Sequence, residues 1–142
     1  MPARHHVPNP WLADQVVLLR AQYTDAELRA TYRDIQLKEK GLRWSSFLCE
    51  KALREAIARE PVLATRLAEM DLAEPVKQAL SRKCVEILAD LVQFTEEVFQ
   101  YMSGLTDDDR SAVRAYMKRM GYPVRSTPEN PFIIFLPEYH PD

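Results

Sequence analysis

Glycine is scarce in this sequence, three in 142 residues. Gly41, Gly104 and Gly121 each fall where a helix should end, which leaves none for a glycine-rich phosphate-binding loop. Cysteine is scarcer still, with only Cys49 and Cys84. The two show no Cys-x-x-Cys spacing and have no histidine beside them, so redox-motif and thiol-nucleophile chemistry find no pattern. Both read as reduced thiols packed inside helices, consistent with a cytoplasmic protein. The three histidines, His5, His6 and His140, all lie in the tails. None pairs with another at metal-ligand spacing on a helix, and the adjacent pair supplies too few fixed ligands for a metal. Positive charge is not in excess, the net charge being -2, so no global field draws in nucleic acid. Long apolar runs are missing too. None approaches the roughly 20 residues that cross a bilayer, and Pro8, Pro10, Asp14 and Gln15 break up anything resembling a signal peptide. The expectation is a soluble chain that is not an enzyme and holds no metal or cofactor.

What is present is helical grammar. The chain is 46% hydrophobic and 28% charged, with six tyrosines, five phenylalanines and two tryptophans, enough apolar surface for a real core and against disorder. Residues 1–9 read as a polar arm. Asn9-Pro10 opens a helix, with Leu12, Val16, Leu19 and Tyr23 at helical spacing. The same stretch also alternates, with Val17, Leu19 and Ala21 on one face of a strand, so residues 16–22 stay open between helix and strand. Thr24-Asp-Ala-Glu27 is a capping box, with Tyr23 and Leu28 placed as its hydrophobic staple. That helix should run to Gly41, closed by a contact between Leu37 and Leu42. A third starts near Ser45 or Ser46, with Leu48 or Cys49, Leu53, Ala56 and Ile57 inward, and ends at Pro61. A shorter fourth carries Leu63, Leu67 and Met70.

The longest expected element spans about 76–103. Leu80, Cys84, Ile87, Leu91, Phe94, Val98 and Tyr101 step by alternating fours and threes. A second stripe, Val85, Leu88, Val92, Thr95, Phe99 and Met102, runs beside it. Two adjacent stripes make this a central helix touching several others. Glu96-Glu97 reads as a solvated helix edge rather than an acid/base pair. The last helix is complete from cap to stop: Thr106, three aspartates at its positive end, Lys118 and Arg119 at its negative end, then Gly121 and Pro123. The fold class predicted is all-α: five or six helices over 10–121 around the helix at 76–103, with an extended proline-rich tail at 122–142.

That tail contains the segment Pro131-Phe-Ile-Ile-Phe-Leu-Pro137. Both faces of a strand drawn through it are apolar, so Phe132, Ile133, Ile134, Phe135 and Leu136 need a covering surface. The surface is either a groove of the same bundle or another chain, a protein partner or a second copy. These five, with Trp11 and Trp44 as aromatic anchors or else ordinary core residues, are the candidate partner-binding set. The function this suggests is a small adaptor, regulatory or accessory subunit working through protein contacts.

One stretch supports a second reading. Gly41-Leu42, Ser45 at a helix cap, then Phe47, Leu48, Ala52 and Leu53, preceded by "VVLLRAQYTDAEL", resembles ribbon-helix-helix DNA-binding proteins, especially the relaxosome accessory type. The resemblance covers about a third of the chain. It implies an intertwined dimer whose paired strands enter the major groove, with Leu18, Arg20 and Gln22 facing the bases. A capped helix, a glycine and a second capped helix also make an ordinary helical hairpin.

Overall fold

The computed structural model describes residues 10–126. Among them the fold is all-α: seven α-helices, two short 3-10 turns and no strands. The helical body expected over 10–121 groups into two compact units, divided along the chain between Ala56 and Ile57.

The first unit, through Ala56, contains α1 (Pro10–Gln22), α2 (Asp25–Gln36) and most of α3 (Trp44–Arg59). Residues 16–22 are therefore helix, and the strand implied by the resemblance is not formed. The reason lies in which residues are buried. Leu12, Val16 and Leu19, at helical spacing, are no more than 2% exposed, whereas Val17, which a strand would have turned inward with Leu19, is 59% exposed. Proline at the first position of α1 suits that helix, since its missing N–H would have no partner there anyway. The capping box of α2 forms as expected. Thr24 Oγ1 accepts from Glu27 N–H at 3.1 Å and Glu27 Oε1 accepts from Thr24 N–H at 2.8 Å. This helix stops earlier than its sequence suggests, at Gln36, and Leu37 is left exposed rather than closing on Leu42. In α3 the buried face is Trp44, Phe47, Leu48, Cys49, Ala52 and Ala56, while Leu53 and Ile57 are half-buried.

The second unit holds the 3-10 turns Pro61–Ala64 and Leu67–Glu69, then α4 (Glu74–Arg82), α5 (Leu88–Leu91), α6 (Glu96–Gln100) and α7 (Asp107–Arg119). The fourth helix expected after Pro61 is thus two separate turns. The single helix expected over 76–103 is three. It breaks first at 83–87, where Cys84 adopts a positive φ of 65°. There the amides of Glu86 and Ile87 turn to the Asp90 carboxylate, at 2.9 and 3.1 Å, instead of to carbonyls one turn back. Leu67 N–H donates to Glu86 C=O and Leu88 N–H to Thr65 C=O, at 2.9 and 2.8 Å, pairing the break with the segment before α4. The second break is at Thr95, whose hydroxyl caps α6 by accepting from Val98 N–H at 3.3 Å, while Glu96 N–H donates to Arg125 C=O at 3.0 Å. A helix gives up its ladder only where other partners satisfy the same groups, and both breaks meet that condition. Cys84, expected in a helix core, is exposed in consequence.

Two glycines fix the close of this unit. Gly121, at φ +92°, follows α7 in a Schellman turn: its N–H donates to Lys118 C=O and Tyr122 N–H donates to Met117 C=O, at 3.1 and 2.9 Å. Gly104, at φ +86°, lies against α4, where an added Cβ would stand 3.3 Å from the Ala79 Cβ. Gly104→Ala is expected to lower stability by about 1–2 kcal/mol, from the left-handed backbone and the tight contact together. Urea unfolding monitored by circular dichroism measures it.

Candidate functional site

The residues singled out from sequence separate into three groups. Phe132, Ile133, Ile134, Phe135 and Leu136 lie outside the described residues. Trp11 and Trp44 are both buried, at 9% and 0% exposure. Trp44 is the hub of an aromatic cluster. Tyr32 meets it edge-on at 5.3 Å between centroids, Phe47 stacks on it at 5.7 Å, and the Arg29 guanidinium lies 4.2 Å from its ring centre. The Tyr32 hydroxyl donates to Leu42 C=O at 2.7 Å and accepts from Gln36 Nε2 at 3.0 Å, tying the α2–α3 connection to the cluster. The geometry of Trp44 is that of a core residue and not of an exposed anchor.

Leu18, Arg20 and Gln22 form the third group, and α1 does not bring them together. Residues two apart on a helix point about 200° apart, so Arg20 faces away from the other two. Leu18 and Gln22 are exposed, and Arg20 Nη2 pairs with Asp25 Oδ1 at 2.9 Å.

A groove of about 550 Å³ opens in the second unit, where no motif or periodicity points to one. Its walls are the segment Arg66–Ala68, one face of α4 and the break at 85–87. Arg66 and Lys77 line it beside Glu74 and Glu86, with Ser81 and Gln78 between. Lys77 Nζ donates to Ala68 C=O at 2.8 Å, so that cation is engaged in joining the two walls. The groove exists because the chain breaks at Cys84, which periodicity alone does not reveal. Two charges of each sign give it no net pull on an ion.

Two apolar side chains stand out on α6 and its C-terminal cap. Val98 is 57% exposed and Tyr101 82%. The inner side of the same short helix is strongly held. Arg114 grips Glu96 with Nε and Nη2 at 3.1 and 3.0 Å, its guanidinium 5.2 Å from the Phe99 ring centre. Arg110 donates from Nε to Phe99 C=O at 3.2 Å and from Nη2 to Met102 C=O at 3.1 Å, with Nη1 on Asp107 at 3.0 Å.

No family model, no curated protein and no solved structure matches this chain. The reading of function therefore rests on its own chemistry. Among the described residues no group of three or more His, Cys, Asp or Glu side chains is placed to hold a metal ion, and no helix is long and apolar enough to cross a membrane. Burial, with Glu50 adding to it, pushes the Cys49 thiol up to about 12, so it stays protonated at neutral pH.

Tyr122 is a second perturbed group. Burial pushes it up to about 12, helped by the hydrogen bond it donates to Glu60 and by that residue's charge. Its folded value lies above the ordinary value of 10.0, so the protonated phenol favours the fold. The stability it adds is fully present below pH 10 and is lost as pH rises toward 12. Unfolding midpoints of the parent are therefore expected to fall more steeply across pH 10–12 than those of Tyr122→Phe, as followed by thermal denaturation. Equal slopes would mean the phenol carries no such linkage.

Proposed function

We propose that this chain is a non-enzymatic accessory or regulatory subunit that works by binding another protein, and that the run Phe132–Leu136 is its principal contact. The observation that carries the proposal is the run itself: five large apolar residues between two prolines. Burying such side chains is worth roughly 1.5–3 kcal/mol each, so a partner that covers them gains most of the energy a stable complex needs. Val98 and Tyr101 add exposed apolar surface of the same kind on the second unit.

Deleting residues 129–142 tests this. The expected result is loss of co-purifying partner from the native host, with the unfolding midpoint of the remaining chain unchanged. A midpoint that collapses on truncation would assign the run to the protein's own core. The DNA-binding alternative has a helix where it needs a paired strand, and a salt-sensitive shift of duplex DNA by the full chain would bring it back.

A further inference from the structure

Sequence and structure disagree most between residues 76 and 103. The sequence places Leu80, Cys84, Ile87, Leu91, Phe94, Val98 and Tyr101 at a strict 3.5-residue period, the pattern of a coiled-coil seam. The structure buries the neighbouring stripe instead. Val85, Leu88, Val92, Thr95, Phe99 and Met102 are each no more than 7% exposed. The seam is left divided: Leu80 and Leu91 are buried, Ile87 and Phe94 half-buried, and Cys84, Val98 and Tyr101 exposed.

The division begins at one residue. Among the described residues, Cys84 alone has a positive φ without being glycine. It occupies the same turn as Gly121. Cys84 N–H donates to Ser81 C=O at 3.0 Å and Val85 N–H donates to Leu80 C=O at 3.2 Å, matching the two bonds that close α7. Glycine takes this conformation freely, whereas a side chain there is strained and favours the right-handed helix. The local preference at Cys84 is thus to carry α4 onward, against the fold. Such a conflict, at the foot of a heptad stripe that is covered at Leu80 and Leu91 but exposed at Cys84, Val98 and Tyr101, marks a segment with a second arrangement.

We propose that residues 76–103 also form one continuous helix, whose seam pairs antiparallel with the same seam of a second copy. The charges beside the seam choose this occupant and this direction. Setting Cys84 against Phe94 and Ile87 against Leu91 of the second copy also sets Leu80 against Val98. The flanking positions then bring Lys83 opposite Glu97 of the second copy, twice per dimer by symmetry. Asp90 meets its own counterpart at the centre and opposes the pairing, so the two Lys83–Glu97 pairs decide the register. A parallel pair would instead set these charges against Leu88, Thr95 and Met102, with no ion pair gained. The proposal goes beyond the tail contact, since no residue of 132–136 takes part.

The test uses the full chain in sedimentation equilibrium and far-ultraviolet circular dichroism across a concentration series. Dimer fraction and helicity are expected to rise together. Cys84→Ala should strengthen association about threefold, from its better helix propensity. Cys84→Gly should weaken association about tenfold, because it relieves the strain of the broken form and disfavours the helix. Val98→Glu, at a site exposed in the broken form, should abolish the dimer and leave the monomer folded. Lys83→Glu should weaken the dimer, and adding Glu97→Lys should restore it. A chain that stays monomeric with constant helicity throughout the series would overturn the proposal. So would a dimer indifferent to Cys84→Gly and Val98→Glu.

Discussion

Trp44→Ala is expected to cost about 3–5 kcal/mol, the range for emptying a large aromatic site in a packed core. The indole is completely buried and touches the rings of both Tyr32 and Phe47. Its removal takes away the surface on which α2 and α3 meet. It also frees the Arg29 guanidinium, which lies over the indole face, a contact worth roughly 0.5–1 kcal/mol where solvent reaches it. Single domains are stable by about 5–15 kcal/mol in all, so this loss is a large share of the first unit's stability and should lower its unfolding midpoint sharply. Trp44→Phe keeps the ring contacts and should lose much less. Chemical denaturation followed by near-ultraviolet circular dichroism separates the two variants. If Trp44→Ala kept its unfolding midpoint, Trp44 would be a surface anchor after all.

Arg110→Met should produce the second large loss, about 3 kcal/mol. Two carbonyls at the end of α6, those of Phe99 and Met102, accept from one guanidinium. Hydrogen bonds to a charged group contribute about 1.5–3 kcal/mol each. Phe99 C=O keeps the Met102 N–H at 3.2 Å, so the desolvation cost of a lost donor falls on Met102 C=O. The Arg110–Asp107 pair adds little, since the Asp107 carboxylate is fully in solvent. Lysine is not a substitute, because a single ammonium cannot reproduce the fork that reaches two carbonyls at once. Arg110→Lys is therefore expected to recover less than half of the loss. Full recovery by lysine would mean that charge alone, rather than the two-pronged cap, holds α6 in place.

Some of this architecture was legible in the sequence because it is written in local chemistry. Thr24 with Glu27 starts α2, Thr106 with Asp109 starts α7, and Gly121 stops it, each through hydrogen bonds among residues close in the chain. The broken helix was not legible, for two reasons. Its first stop uses cysteine where glycine is the usual signal, so nothing in the composition announces it. Its second start, Thr95 followed by Glu96 and Glu97, carries the same cap-and-acid signature as Thr106 with its three aspartates. There the apolar stripes running through residues 80–102 outweighed it. Periodicity reports which residues share a face if a helix forms, and tertiary bonds such as Glu96 N–H to Arg125 C=O decide whether it does. The groove beside Arg66 and Lys77 follows from that break, and so was hidden with it. Tryptophan burial was equally beyond composition, since an aromatic residue at a helix start serves a core or a partner with the same side chain.

The claim on which the functional reading stands is that the run from Phe132 to Leu136 is covered by a different protein. Photo-crosslinking from position 134, with Ile134→p-benzoylphenylalanine in the full chain expressed in its native host, asks this directly. The expected result is a discrete adduct between this chain and a protein of another sequence, lost when Leu136→Asp is added. Adducts confined to the chain's own helices would contradict it and return the run to the intramolecular core.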